Sequence, residues 1–131
     1  MFKSVQRISN RSISTLLVID QTAGVASNGN LNALAAAKKL GFPITCLVAG
    51  TASQVESASA QIMKYPGIQK IMACSGDIYA HGLAEPHADL ICSYSKGFSH
   101  IVAASSPYSK NVFPRAAAIM NISPITDVIK I

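Results

Sequence analysis

Short aliphatic runs alternate along this chain with stretches in which apolar residues return every three or four positions. Thr15-Leu-Leu-Val-Ile-Asp20 is a β-branched and aliphatic run that ends in an acid, and it predicts a buried strand. After a Gly, Asn and Ser-rich loop from Gly24 to Asn30, Ala33, Ala36, Ala37 and Leu40 fall on one helical face. Lys38 and Lys39 lie in the last turn, and Gly41 and Pro43 stop the helix. Ile44-Thr-Cys-Leu-Val-Ala49 repeats the strand pattern up to Gly50. Ser53 and Glu56 then have the spacing of a capping box ahead of Val55, Ala58, Ser59 and Ile62, a second helix that ends near Pro66-Gly67. Ile68 to Cys74 predicts a third strand. A helix from about Glu85, with Pro86 in its first turn, runs toward Gly97, and Ser99 to Ala104 predicts a fourth strand. Phe113, Ala116, Ala117 and Met120 mark another helix. Its start is expected near Lys110 or Asn111, since an earlier start would leave Pro114 inside it with one backbone bond missing. Thr126 to Ile131 begins a fifth strand. Strands and helices that alternate with short links demand an α/β fold, in which helices cover both faces of a mostly parallel sheet.

Length and composition narrow this picture. The chain has 131 residues, half of them hydrophobic and 13% charged, which suits one folded domain and argues against disorder. No apolar run approaches the roughly 18 residues of a membrane-spanning helix. Eleven Lys and Arg against six Asp and Glu suggest a nucleic-acid binder at first sight, but Lys3, Arg7 and Arg11 precede the first acid, Asp20, and the rest of the chain carries only +2. Those three charges recur at four-residue spacing between Phe2, Val5, Ile8 and Ile13, with four serines and no acid among residues 1–14. This is the composition of a mitochondrial transit peptide; the bland alternative is a basic N-terminus of no consequence. Cys46, Cys74 and Cys92 are odd in number and lack metal or redox spacing, as in a reducing compartment. Ile131 falls inside an apolar strand. That points to a fragment, a truncated gene product or a short isoform of a longer protein, unless the strand simply closes the sheet as its last member.

In an open parallel sheet, ligands sit beyond the C-terminal ends of the strands, which directs attention to four loops. Gly24 to Gly29 has the glycine spacing of a phosphate loop, but Asn30 and Leu31 stand where Lys and Ser or Thr are required, so the motif is rejected. No dinucleotide fingerprint follows any strand. His81, His87 and His100 are not spaced as a metal set, and no metal site is expected. His81 with Glu85 is the one loop pair that suggests acid–base chemistry, and a lone loop histidine is more often just solvated, so no catalytic residue is assigned. Ser105-Ser-Pro-Tyr-Ser-Lys-Asn111 is more suggestive. Ser106, Ser109, Lys110, Asn111 and, further on, Arg115 are candidates for holding an anion or forming an interface. The competing reading is that Ser109 or Asn111 caps the helix and Arg115 pairs locally.

Thr15-Leu-Leu-Val-Ile19, Thr45-Cys-Leu-Val-Ala-Gly-Thr51, Ser105-Ser-Pro-Tyr-Ser-Lys-Asn-Val-Phe-Pro-Arg-Ala-Ala-Ala118 and Ile122-Ser-Pro-Ile-Thr-Asp-Val-Ile129 together resemble the alpha subunits of the mitochondrial electron transfer flavoprotein family. The resemblance covers about Thr15 to Ile131, where the family usually has glycine in place of Ser109. It implies a three-layer α/β/α domain with a doubly wound sheet of about five strands, Rossmann-like and adenine-nucleotide hydrolase-like. It also implies a non-enzymatic module of a heterodimer with a beta subunit, in the mitochondrial matrix. Such a heterodimer takes electrons from acyl-CoA dehydrogenases of fatty acid beta-oxidation and passes them to a membrane quinone oxidoreductase. The resemblance places the FAD in a C-terminal domain absent from this chain, so residues 15–131 are expected to be a scaffold and beta-subunit interface without a flavin site of their own. The alternative from another class is a free-standing nucleotide-binding domain that uses the Ser105 to Lys110 loop for phosphate.

Overall fold

The computed structural model describes residues 14–80 and 84–123. The elements in chain order are β1 (Thr15–Val18), β2 (Gln21–Thr22), β3 (Val25–Ala26), α1 (Gly29–Leu40), β4 (Ile44–Gly50), α2 (Ala52–Ile62), β5 (Lys70–Ser75), a 3-10 turn (Asp77–Tyr79), α3 (Ala84–Ser95), β6 (His100–Ala103) and α4 (Pro107–Met120). Among the described residues, four strands form a wholly parallel sheet in the order β5-β4-β1-β6. The chain therefore builds outward from β1 through β4 to β5, then crosses back to place β6 on the other side of β1.

Alternation along β1 explains the layers. Leu17 and Ile19 face one side, where they join Ile44, Cys46 and Val48 under Leu34 and Ala37 of α1 and Val55, Ala58 and Ile62 of α2. Leu16 and Val18 face the other side and pack with Leu47 against Ala88 and Ile91 of α3 and Val112 and Ala116 of α4. A strand buried on both faces reads as a continuous apolar run, because every second residue points into a different core. Cys46 lies in the first of these cores with its thiol free, and burial pushes its pKa up to about 12, so it behaves as a small hydrophobe.

Local chemistry differs from the sequence expectation at three places. The capping box of α2 is Thr51 with Gln54, not Ser53 with Glu56: the Gln54 amide donates to Thr51 Oγ1 at 3.3 Å and the Thr51 amide to Gln54 Oε1 at 2.9 Å. Thr51 has the extended conformation that a cap needs as it leaves β4, whereas Ser53 is already inside the helix. Helix α4 starts at Pro107 rather than near Lys110, so Pro114 does stand within it. Pro107 occupies a first-turn position that needs no amide donor. Lys110, whose carbonyl loses its helical partner to Pro114, is exposed, which keeps the cost down. Gln21 to Ala26 form an unforeseen hairpin, β2 against β3. Ala23 and Gly24 both take positive φ, 53° and 85°, as a two-residue turn of the mirror-image type requires. Four of the about five expected strands are present in the main sheet among the described residues. The fifth, Thr126 to Ile131, lies outside the described residues, as do the transit-like residues 1–13 and His81.

Candidate functional site

A cleft opens where the sheet rule puts it, at the C-terminal ends of β1 and β4, with a volume of about 400 Å³. Two glutamines shape its wall. Gln21 Nε2 donates to the Ala49 carbonyl at 2.9 Å while its Oε1 accepts from the Gly24 amide at 2.8 Å. Gln54 is held by the α2 capping box and reaches the Ala80 carbonyl at 3.5 Å. Gly50 permits this convergence: a Cβ there would lie 2.7 Å from Gln21 Nε2 and 2.8 Å from Gln54 Oε1.

Behind Asp20 the backbone is pinned by Asn30, the residue that replaces the lysine of a phosphate loop. Asn30 is fully buried; its Oδ1 accepts from the Asp20 amide at 3.1 Å and its Nδ2 donates to the Asp20 carbonyl at 2.9 Å. Both backbone groups at the end of β1 are thereby satisfied, and Asn30, fully buried, is not exposed to an anion in solution.

On the other side of the cleft, α3 contributes His87 and α4 contributes Tyr108. His87 is buried, and its Nε2 donates to the Tyr79 carbonyl at 3.4 Å. A carbonyl can only accept, so the neutral ring carries its proton on Nε2 and Nδ1 receives the Tyr108 hydroxyl at 2.6 Å. Tyr79 and Tyr108 flank the imidazole edge-on, with centroids 5.4 and 5.2 Å away. Burial lowers the His87 pKa from its ordinary value, opposed by the Tyr79 bond. Burial, and then the nearby Asp20 charge, raise that of Tyr108.

Ser106 and Ser109, two of the residues singled out in the sequence, cap each other at the start of α4. The Ser106 amide donates to Ser109 Oγ at 3.0 Å and the Ser109 amide to Ser106 Oγ at 3.2 Å, while Ser109 Oγ also bonds the Ala104 carbonyl. Ser109 is helical, so glycine's special conformations are not needed there. Lys110 and Asn111 are exposed outside the cleft lining, and Arg115 pairs with Glu85 of α3 at 3.6 Å. The loop therefore places Ser106 with Ser109 but does not gather all five candidates around one point. His100 is remote from His87 in role, stacked on Phe42 at 5.2 Å. Among the described residues, no group of three or more His, Cys, Asp or Glu is placed to hold a metal ion, and no helix is long and apolar enough to cross a membrane. The Asp20, His87 and Tyr108 constellation escaped sequence reasoning because its members lie 21 or more positions apart; the acid that ends the first strand was its one visible signal.

The profile of the Electron transfer flavoprotein domain family matches residues 15–131. Similar proteins include a mitochondrial electron transfer flavoprotein subunit alpha from Oryza sativa subsp. indica, 35% identical over 98% of this chain and 38% of its own length. The Arabidopsis thaliana subunit alpha is 35% identical over 93% of this chain and 35% of its own. A probable mitochondrial subunit alpha from Cryptococcus neoformans is 37% identical over 92% of this chain and 36% of its own. The chain thus spans less than two-fifths of the length of these relatives.

Proposed function

The chain belongs to the electron transfer flavoprotein domain family, and from that premise we propose that residues 15–131 act as the N-terminal domain of an alpha subunit in a mitochondrial electron carrier. The observation that carries this reading is the match to mitochondrial alpha subunits over nearly the whole chain. In this reading residues 1–14 direct import to the matrix. The domain packs against an electron transfer flavoprotein beta subunit, and the assembled carrier moves electrons from acyl-CoA dehydrogenases to a membrane quinone oxidoreductase. The module contributes no catalytic residue of its own; its role is to position the partner and the flavin-bearing part of the carrier.

The cleft does not fit FAD. A flavin dinucleotide carries a pyrophosphate, which calls for Arg, Lys or open helix amides. The cleft instead presents the Asp20 carboxylate, with no Lys or Arg among the described residues of its lining, and capping boxes occupy the starts of α2 and α4. The same spent hydroxyls and amides weigh against the alternative in which the Ser105 to Lys110 loop grips the phosphate of a nucleotide.

Coexpression of the chain with a beta subunit tests the interface: equimolar copurification is expected, and a beta subunit that elutes alone would remove that role. The flavin-free part has its own readout, because the visible flavin band should be missing from the purified chain even after incubation with FAD. A stoichiometric band would show that this module does carry a cofactor site.

A further inference from the structure

The scaffold reading leaves the 400 Å³ cleft without a role. Its polar chemistry is lopsided. The Tyr108 proton is committed to His87 Nδ1, so the phenol oxygen can only accept from a ligand. The Gln21 and Gln54 side-chain oxygens are already engaged by the Gly24 and Thr51 amides. Among the described residues, the Asp20 carboxylate has no cationic partner, since the ion pair between described side chains is Arg115 with Glu85. Lining surface from Ile19, Ala49 and Ala80 is apolar.

Among the described lining residues Asp20 brings a carboxylate and no Lys or Arg offsets it; the spare amide N–H groups of Gln21 and Gln54 and the Thr22 hydroxyl are neutral, so the pocket disfavours phosphates and carboxylates and favours a cationic hydrogen-bond donor. An ammonium group meets all of these terms: three N–H donors, a positive charge for Asp20, and a neighbouring aromatic ring in Tyr108. We propose that this cleft is a binding site for a small primary amine, its ammonium between Asp20 and the Tyr108 oxygen and its apolar body against Ile19, Ala49 and Ala80. His87 serves as a positioning residue, because by accepting the phenol proton it turns the Tyr108 oxygen into an acceptor for the ligand.

NMR titration of the full 131-residue chain with benzylamine, benzyl alcohol and inorganic phosphate tests the assignment. Benzylamine should shift the amides of Gln21, Thr22 and Tyr108 saturably and bind about tenfold more tightly than benzyl alcohol, which has the same body without the charge. Asp20→Asn should abolish that preference, while Asp89→Asn, which removes an exposed acid of α3, should leave it intact. Equal affinity of the wild-type chain for the amine and the alcohol would overturn the proposal without reference to any variant. So would phosphate binding in the cleft, or shifts confined to other surfaces.

Discussion

The two inner strands and the two outer strands of the sheet are built from similar residues and meet opposite fates. Leu16, Leu17, Val18, Leu47 and Val48 are at most 2% exposed, whereas Ile71 and Met72 of β5 and Ile101 and Val102 of β6 are only partly buried. The difference is one of position. Strands β1 and β4 have a neighbour on each side and helices above and below, while β5 and β6 each pair on one side among the described residues. Burial in this sheet therefore follows strand order, which composition does not encode. The same order brings the ends of β1 and β4 together to form the cleft.

The sharpest way to break the comparison is to truncate both classes. Leu17→Ala removes a fully buried side chain and is expected to destabilise by about 2–5 kcal/mol, against well under half of that for Ile71→Ala; equal shifts in urea midpoint would refute the inner–outer distinction. A second substitution asks whether the advantage of β1 extends past its last paired residue. Asn30→Ala strips the Asp20 amide of its partner and leaves the Asp20 carbonyl with the Ser27 amide alone, and it is expected to cost about 1–3 kcal/mol, measurable by the same denaturation and by faster hydrogen exchange at Asp20.

The layer of α3 and α4 differs from that of α1 and α2 in holding a titratable core pair, and pH separates them. The folded state lowers the pKa of His87 below its ordinary 6.5, so the unfolded chain takes up this proton first. Stability from this group is thus fully present above about pH 6.5 and is lost as pH falls toward the folded value. A urea midpoint that declines below pH 6.5 in the wild type, with a shallower decline in His87→Gln, is expected. Identical slopes would mean that His87 is as easily protonated in the folded chain as in the unfolded one. The smallest effect belongs to the surface of that layer: Arg115→Ala breaks an ion pair between half- to mostly exposed side chains and should change stability by under about 1 kcal/mol, less still in high salt.

Much of the fold was legible because its signals are local. The helical spacing of Ala33 and Ala37 or of Val55, Ala58 and Ile62 corresponds to the buried faces of α1 and α2, and Gly41 ends α1 at φ 80°. Errors arose where two local signals competed. Ser53 and Thr51 both have a capping spacing, and only the end of β4 decides between them; Pro114 argued for a late start to α4, and Pro107 with the paired serines outweighed it. The hairpin was hidden because it is held by α2, where Gln61 accepts from the Ala26 amide at 2.9 Å and donates to the Gly24 carbonyl at 3.0 Å.

By itself, the sequence determined the alternation of strands and helices, the class of fold and the family resemblance, since each rests on residues within one turn or one strand of each other. Strand order, the partners of Asn30 and the meeting of Asp20, His87 and Tyr108 were decided only by the tertiary structure. Those contacts join α1, α3 and α4 to the end of β1, and the free energy that selects them is the burial of two cores on opposite faces of one sheet.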